Sequence, residues 1–242
     1  MTEALFWGLF GASSLLIGAI VALTLKPGNR TVGAVMAFGA GTLISAVTYE
    51  LIGQSVSEGD MESIVLGMLG GCFTYFFADL YIDSLGGKAR AKVAPEDEDG
   101  SGLGIVLGTV LDGIPESFVM GMSFVGGANA STALIAAIFI SNLPESIAST
   151  SSLRKSGWPV ARILVMWVGI VAISGASAAA GYAIFEDAGG DTGAVIQAFA
   201  AGAILTMLAQ TMMPEAFKHG GRMVGVVTVL GFITALSLTI AE

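Results

Sequence analysis

Two short stretches carry the polar chemistry of this chain. One is Leu111-Asp112-Gly113-Ile114-Pro115-Glu116-Ser117; the other is Ile140-Ser141-Asn142-Leu143-Pro144-Glu145-Ser146. Each places Pro-Glu-Ser in the middle of a long apolar run. Asp112 and Glu116 are four residues apart, as are Ser141 and Glu145, so each pair shares one helix face. Pro115 cannot donate to the carbonyl of Leu111, nor Pro144 to that of Ile140, which frees two backbone carbonyls at the depth of the carboxylates. In lipid such carbonyls need a partner. Carboxylates, an amide, a hydroxyl and free carbonyls form an oxygen-rich donor set, and such sets suit divalent cations such as manganese, iron(II), zinc and magnesium. On insertion scales an Asp at a helix centre costs about 2.5–3.5 kcal/mol, and three acids cost on the order of 8–10 kcal/mol if Glu costs the same. Neither run contains a Lys or Arg to pair with them. A bound cation, for which protons compete, is the simplest compensation. The candidate metal ligands are Asp112, Glu116, Ser141, Asn142 and Glu145.

Composition supplies the membrane that this reading requires. Of 242 residues, 54% are hydrophobic and 12% are charged, with a mean hydropathy of +0.82. A soluble domain is about 25% charged. Apolar runs long enough to span a bilayer, about 20 residues as helix, recur eight times. They fall at 4–26, 31–53, 62–83, 102–124, 130–152, 160–184, 192–214 and 220–241. The expected fold is all-α: a polytopic membrane protein with eight transmembrane helices in a single domain over 1–242. Lys26 and Arg30 fall between the first and second helices, and Lys88, Arg90 and Lys92 between the third and fourth. Arg154, Lys155 and Arg162 fall between the fifth and sixth, and Lys218 and Arg222 between the seventh and eighth. Every basic residue is then on one side, which the positive-inside rule makes cytoplasmic. Glu58, Asp60, Glu62, Glu186, Asp187 and Asp191 lie on the other side, so both termini are expected outside. The stretch 86–101, basic and then acidic, reads as a flexible cytoplasmic loop.

The same counts exclude other classes. A net charge of -9 argues against a nucleic-acid partner. One Cys forbids an intrachain disulfide, and one His forbids a His-lined zinc site within one chain. No nucleotide-binding loop is present, so direct ATP coupling is not expected. The N-terminus lacks a basic n-region, and the run from Ala4 to Leu25 is long enough to span, so it reads as a helix and not as a cleaved signal. An enzyme is not expected either: a serine protease would need a base near Ser141, and His219 falls at the membrane edge.

The chain also repeats itself. Ala37-Phe38-Gly39-Ala40-Gly41 opens the second helix, and Ala198-Phe199-Ala200-Ala201-Gly202 opens the seventh. These helices run in opposite directions, as do the fourth and fifth with their Pro-Glu-Ser. The pattern predicts an inverted repeat, helices 1–3 and 6–8 around central helices 4–5, an arrangement that secondary transporters use around a midplane site. Weaker polar candidates lie at helix ends: Glu50 at an outer entrance, Asp79 at an inner exit, Asp83, Gln210 and Glu215 near it. His219 reads as interfacial.

At these residues the chain resembles the ZIP (Zrt/Irt-like) family of divalent metal transporters. That family's signature is His-Asn-x-Pro-Glu-Gly on helix 4, with a similar motif on helix 5. Eight helices with both termini outside agree, and the Ala/Gly-rich starts of helices 2 and 7 are similar. Ser174-Gly175-Ala176-Ser177-Ala178-Ala179-Ala180-Gly181 is similar to the family's Ser-Gly-x-x-Glu-Pro-x-Gly on helix 6. Glu116 and Glu145 match the core glutamates, and Asn142 keeps its position. Asp112 stands where the family usually has His, Gly113 where it has Asn, Ser117 where it has Gly, and Ala178 where it often has Glu. Ser141 occupies the other first-ligand position. The resemblance implies a carrier that moves divalent cations (zinc, cadmium, manganese, iron or cobalt) across the cell membrane toward the cytoplasm by alternating access. The ion is then a substrate, with no prosthetic group. The resemblance further implies that helices 1, 4, 5 and 6 move against helices 2, 3, 7 and 8, and that the protein is a homodimer in the bilayer. Loss of ligands at 113 and 178 implies one bound ion. It also leaves a second reading, a metal-binding sensor or degenerate relative that does not transport.

Overall fold

The computed structural model describes residues 1–85, 92, 102–125, 131–186, 188 and 191–241. The expected loop at 86–101 therefore lies outside the described residues, Lys92 excepted. Among the described residues every regular element is a helix. They are α1 (Thr2–Thr24), α2 (Asn29–Glu58), α3 (Met61–Ser84), α4 (Gly102–Met122), α5 (Thr132–Lys155) and α6 (Val160–Glu186). A last stretch, Asp191–Ala241, contains α7 and α8. Helix α7 comprises Asp191–Met207, a π-helical turn at Leu208–Met212 and Met213–Gly220; α8 is Val224–Ala241. Among the described residues, counting Asp191–Ala241 once, seven stretches are long and apolar enough to cross a membrane.

Two helices outrun their expected ends by five residues or more. Helix α2 continues past 53 to Glu58 through a π-helical turn at Val47–Ile52. Helix α7 continues past 214, because Pro214 opens the segment just after its π turn, a position where a missing N–H is tolerated. Pro115 and Pro144 sit inside α4 and α5, and both helices continue through them.

The burial pattern inverts that of a soluble bundle. Phe6, Phe10, Leu66, Phe73, Phe77, Leu80, Val165, Val168 and Val229 face outward. Ser14, Thr42, Ser45, Thr109, Ser146, Ser149 and Thr150 are inside, among Ala and Gly. Such surfaces belong in hydrocarbon, and small residues let membrane helices approach closely. Helices α1, α4, α5 and α6 pack as one group, and α2, α3, α7 and α8 as another, with α2 laid against α5 between them.

Contacts fix the helix directions. Ser55 and Gln54, late in α2, hydrogen-bond Gln197, early in α7. Gly33, early in α2, meets His219 and Gly220 at the end of α7. The two helices are antiparallel. Along α8, Thr228 and Phe232 lie against Gly41, and Thr239 donates to Glu50, so α8 runs with α2. The chain therefore reverses between α7 and α8, at Gly221 with its φ of 65°, a backbone region open to glycine.

Two close approaches match each other. Gly41 packs on the carbonyl of Thr228, and Gly231 on that of Phe38, joining α2 to α8. Gly202 packs on the carbonyl of Met68, and Gly71 on that of Phe199, joining α7 to α3. A side chain at any of the four would collide with facing backbone.

Candidate metal centre

The five expected ligands all lie inside the protein. Asp112, Glu116, Ser141, Asn142 and Glu145 are each less than 5% exposed. Helices α4 and α5 supply them, and α2 closes the site from the side: Gly39 approaches the backbone of Ser141 and the carbonyl of Ile140, the one freed by Pro144. Only a glycine leaves that approach open.

Ser141 and Glu116 are brought together across α4 and α5. The Ser141 hydroxyl lies 3.5 Å from Glu116 Oε1, and it also lies 3.0 Å from the carbonyl of Ile138. One hydroxyl proton serves one strong acceptor at a time, and the shorter contact is to Ile138. Glu116 Oε1 is thus held weakly, and Glu116 Oε2 has no hydrogen-bond partner among the described residues. Asn142 donates from Nδ2 to the carbonyl of Gly11 at 3.5 Å, while its Oδ1 has no partner among the described residues. A buried acceptor left unmade costs about 1–3 kcal/mol, more when charged. Two such oxygens on facing helices are what a cation would satisfy.

Other residues are arranged differently from the expectation. Among the described residues, no three of His, Cys, Asp and Glu stand close enough to share one metal ion. The three acids are therefore buried but not gathered. Asp112 accepts a hydrogen bond from the phenol of Tyr75 on α3, which the sequence reading missed. Tyr75, Asp79 and Asp83 recur every four residues on an otherwise apolar helix, and that spacing was the available signal. Ala178, where the resembled family often has Glu, is fully buried and packed between Gly8 and Gly121, with no room for a longer side chain.

The weaker candidates, expected at the inner helix ends, do converge. Asp79, Asp83, Gln210, Thr211 and Glu215, with Lys92, line a cavity of about 250 Å³ between α3 and α7. His219 Nε2 stands 3.4 Å from Glu215, and its β-carbon packs beside Gly33. Glu50 accepts a hydrogen bond from Thr239 at 3.0 Å, which ties α2 to α8.

Compared with known family models and with curated proteins, the chain matches none. The chemistry is thus read from the site alone. Its donors are all oxygens, and they are enclosed by helices that face lipid. Such a set favours hard and borderline divalent ions over those that demand thiolate or imidazole.

Proposed function

We propose that this protein is a membrane carrier for divalent metal cations, which bind as substrate at Asp112, Glu116, Ser141, Asn142 and Glu145 midway through the bilayer. One observation carries the reading: Glu116 Oε2 and Asn142 Oδ1 are buried acceptors without a hydrogen-bond partner among the described residues, on facing helices in the heart of a lipid-facing bundle. The inner cavity offers further carboxylates on the side of the basic loops. In this reading that side faces the cytoplasm, the ion moves toward it, and the protein resembles the ZIP family in mechanism.

The architecture suits alternating access. As one straight helix, the 51 residues of Asp191–Ala241 would be roughly 75 Å long, against a hydrocarbon core of about 30 Å. The reversal at Gly221 supports two crossings there and eight in all. The matched glycine contacts support an inverted repeat of helices 1–3 and 6–8. So do the two π turns: Val47 follows Ala37, and Leu208 follows Ala198, by the same ten residues. In such a carrier α1, α4, α5 and α6 hold the ion and shift against the other four.

The test is uptake into proteoliposomes, with zinc, cadmium, manganese, iron(II), cobalt and magnesium presented singly. Saturable uptake by wild type, lost in Glu116→Ala and Glu145→Ala, is the expected result. Uptake unchanged in both variants would remove the central site from the mechanism. A second reading, a metal-binding sensor or degenerate carrier, draws on the three acids not being gathered. Binding without uptake would favour it.

A further inference from the structure

Helix α3 turns few residues inward. Its buried set is Ile64, Gly67, Gly71 and Tyr75. Tyr75 is the one large polar side chain among them, 2% exposed, and it donates to Asp112 across the boundary between the two helix groups. Asp79 and Asp83 follow on the same face, one and two helical turns further along, about 6 Å per step. They are only partly buried, and they line the inner cavity. The face of α3 thus leads from an acidic cavity to the central site, and the Tyr75 ring stands at the point where it becomes closed. Asp112 beyond it is as enclosed as the ring itself.

We infer that Tyr75 is the gate between the central site and the inner acidic cavity, and that it is latched shut by its hydrogen bond to Asp112. This rests on the carrier reading and adds a residue to it. The carboxylate that receives the phenol is one that the cation would use. An ion arriving at Asp112 competes with the phenol for the same oxygens. Ion binding therefore loosens the latch, frees the ring to move aside, and removes a bond that ties the two helix groups together. Exit is unlocked by occupancy, and an empty site stays sealed.

Two measurements test this. Manganese(II) and cadmium(II) are titrated singly into purified wild type, Glu116→Gln and Tyr75→Phe, with heat as the readout. Tyr75→Phe keeps the ring and deletes the competing donor, so binding tightens by about tenfold, the scale of one hydrogen bond to a charged group. Equal or weaker binding in Tyr75→Phe overturns the latch, since a merely packed tyrosine would give that result. In the second arm, Ser141→Cys in a Cys72→Ser background is labelled with a charged thiol reagent. Adding Tyr75→Ala raises the labelling rate at least tenfold if the ring is the gate; an unchanged rate overturns it. Should Tyr75→Ala fail to fold, the titration of Tyr75→Phe still decides the latch. If wild type binds neither of these ions nor zinc, iron(II), cobalt or magnesium, or Glu116→Gln binds as wild type does, the carrier reading falls, while the labelling arm still decides the gate.

Discussion

Ala178 shows how a single small residue limits the chemistry of the site. It is wedged between Gly8 on α1 and Gly121 on α4, in contact with backbone on both sides. Replacing it with a larger acid adds volume where nothing can yield, and overpacking of this kind costs about 1–3 kcal/mol. Ala178→Glu is therefore expected to lower the unfolding temperature in detergent and to leave the number of bound ions unchanged. A variant of wild-type stability that binds a second ion would show that α1 and α4 can part at this point. Outside the membrane, Asp60 caps α3, its carboxylate accepting from the backbone N–H of Ser63 at 2.7 Å. That hydrogen bond, and a second from the Ser63 side chain, hold the Asp60 carboxyl below its ordinary range. A group with a depressed folded value contributes stability above its unfolded value and loses it as pH falls through the folded one. The start of α3 is thus expected to fray below about pH 4, the ordinary Asp range. Hydrogen exchange at Ser63, corrected for its intrinsic pH dependence, should quicken there. Asp60→Asn should show no such step.

Among the helices, close approach is concentrated at a few glycines, and this divides them into two kinds. Gly41, Gly71, Gly202 and Gly231 each face a carbonyl on another helix, whereas Gly169 and Gly225 have nothing within 4 Å of where a side chain would begin. Gly71→Ala or Gly202→Ala is expected to separate α3 from α7 and to destabilise by about 1–3 kcal/mol. Gly169→Ala, free of that clash, is expected to stabilise by about 0.5–1 kcal/mol through helix propensity. Thermal unfolding in one detergent compares them directly, and equal effects at Gly71 and Gly169 would rule out the packing account. Sequence alone showed where helices exist, because apolar runs and basic gaps alternate, and it showed that Asp112, Glu116, Ser141, Asn142 and Glu145 lie in the interior. It did not show the π turns, which leave composition unchanged, nor the continuation through Pro214. It also missed Tyr75: the four-residue spacing from Asp79 and Asp83 marks a shared helix face but does not name a partner 37 residues away. Asp79 and Asp83, read as helix-end acids, line the cavity beside it only because α3 and α7 pack in parallel.

For the whole molecule, the question that decides the architecture is one of parity. Asp191–Ala241 is the one long stretch that holds a reversal, and it determines whether the chain crosses the bilayer an odd or an even number of times. With seven crossings the two termini lie on opposite faces; with eight they lie on the same face, away from the basic connections. The contacts of α7 and α8 with α2 run in opposite senses, so even parity is expected. Reporter fusions at Met1 and after Ala241 should therefore give the same sidedness, and a tag inserted at Gly100 should give the other. The positive-inside rule assigns the tagged loop to the cytoplasm. Termini on opposite faces would mean that α7 and α8 together cross once. That would remove the matched pairing of α2 with α8 and α7 with α3 as a symmetry of the transport unit, and with it the reason for the two π turns to lie at the same spacing. Termini on the same face with the tag outside would leave the repeat intact but reverse the direction in which the inner cavity opens. In the proposed reading the ion would then be delivered outward.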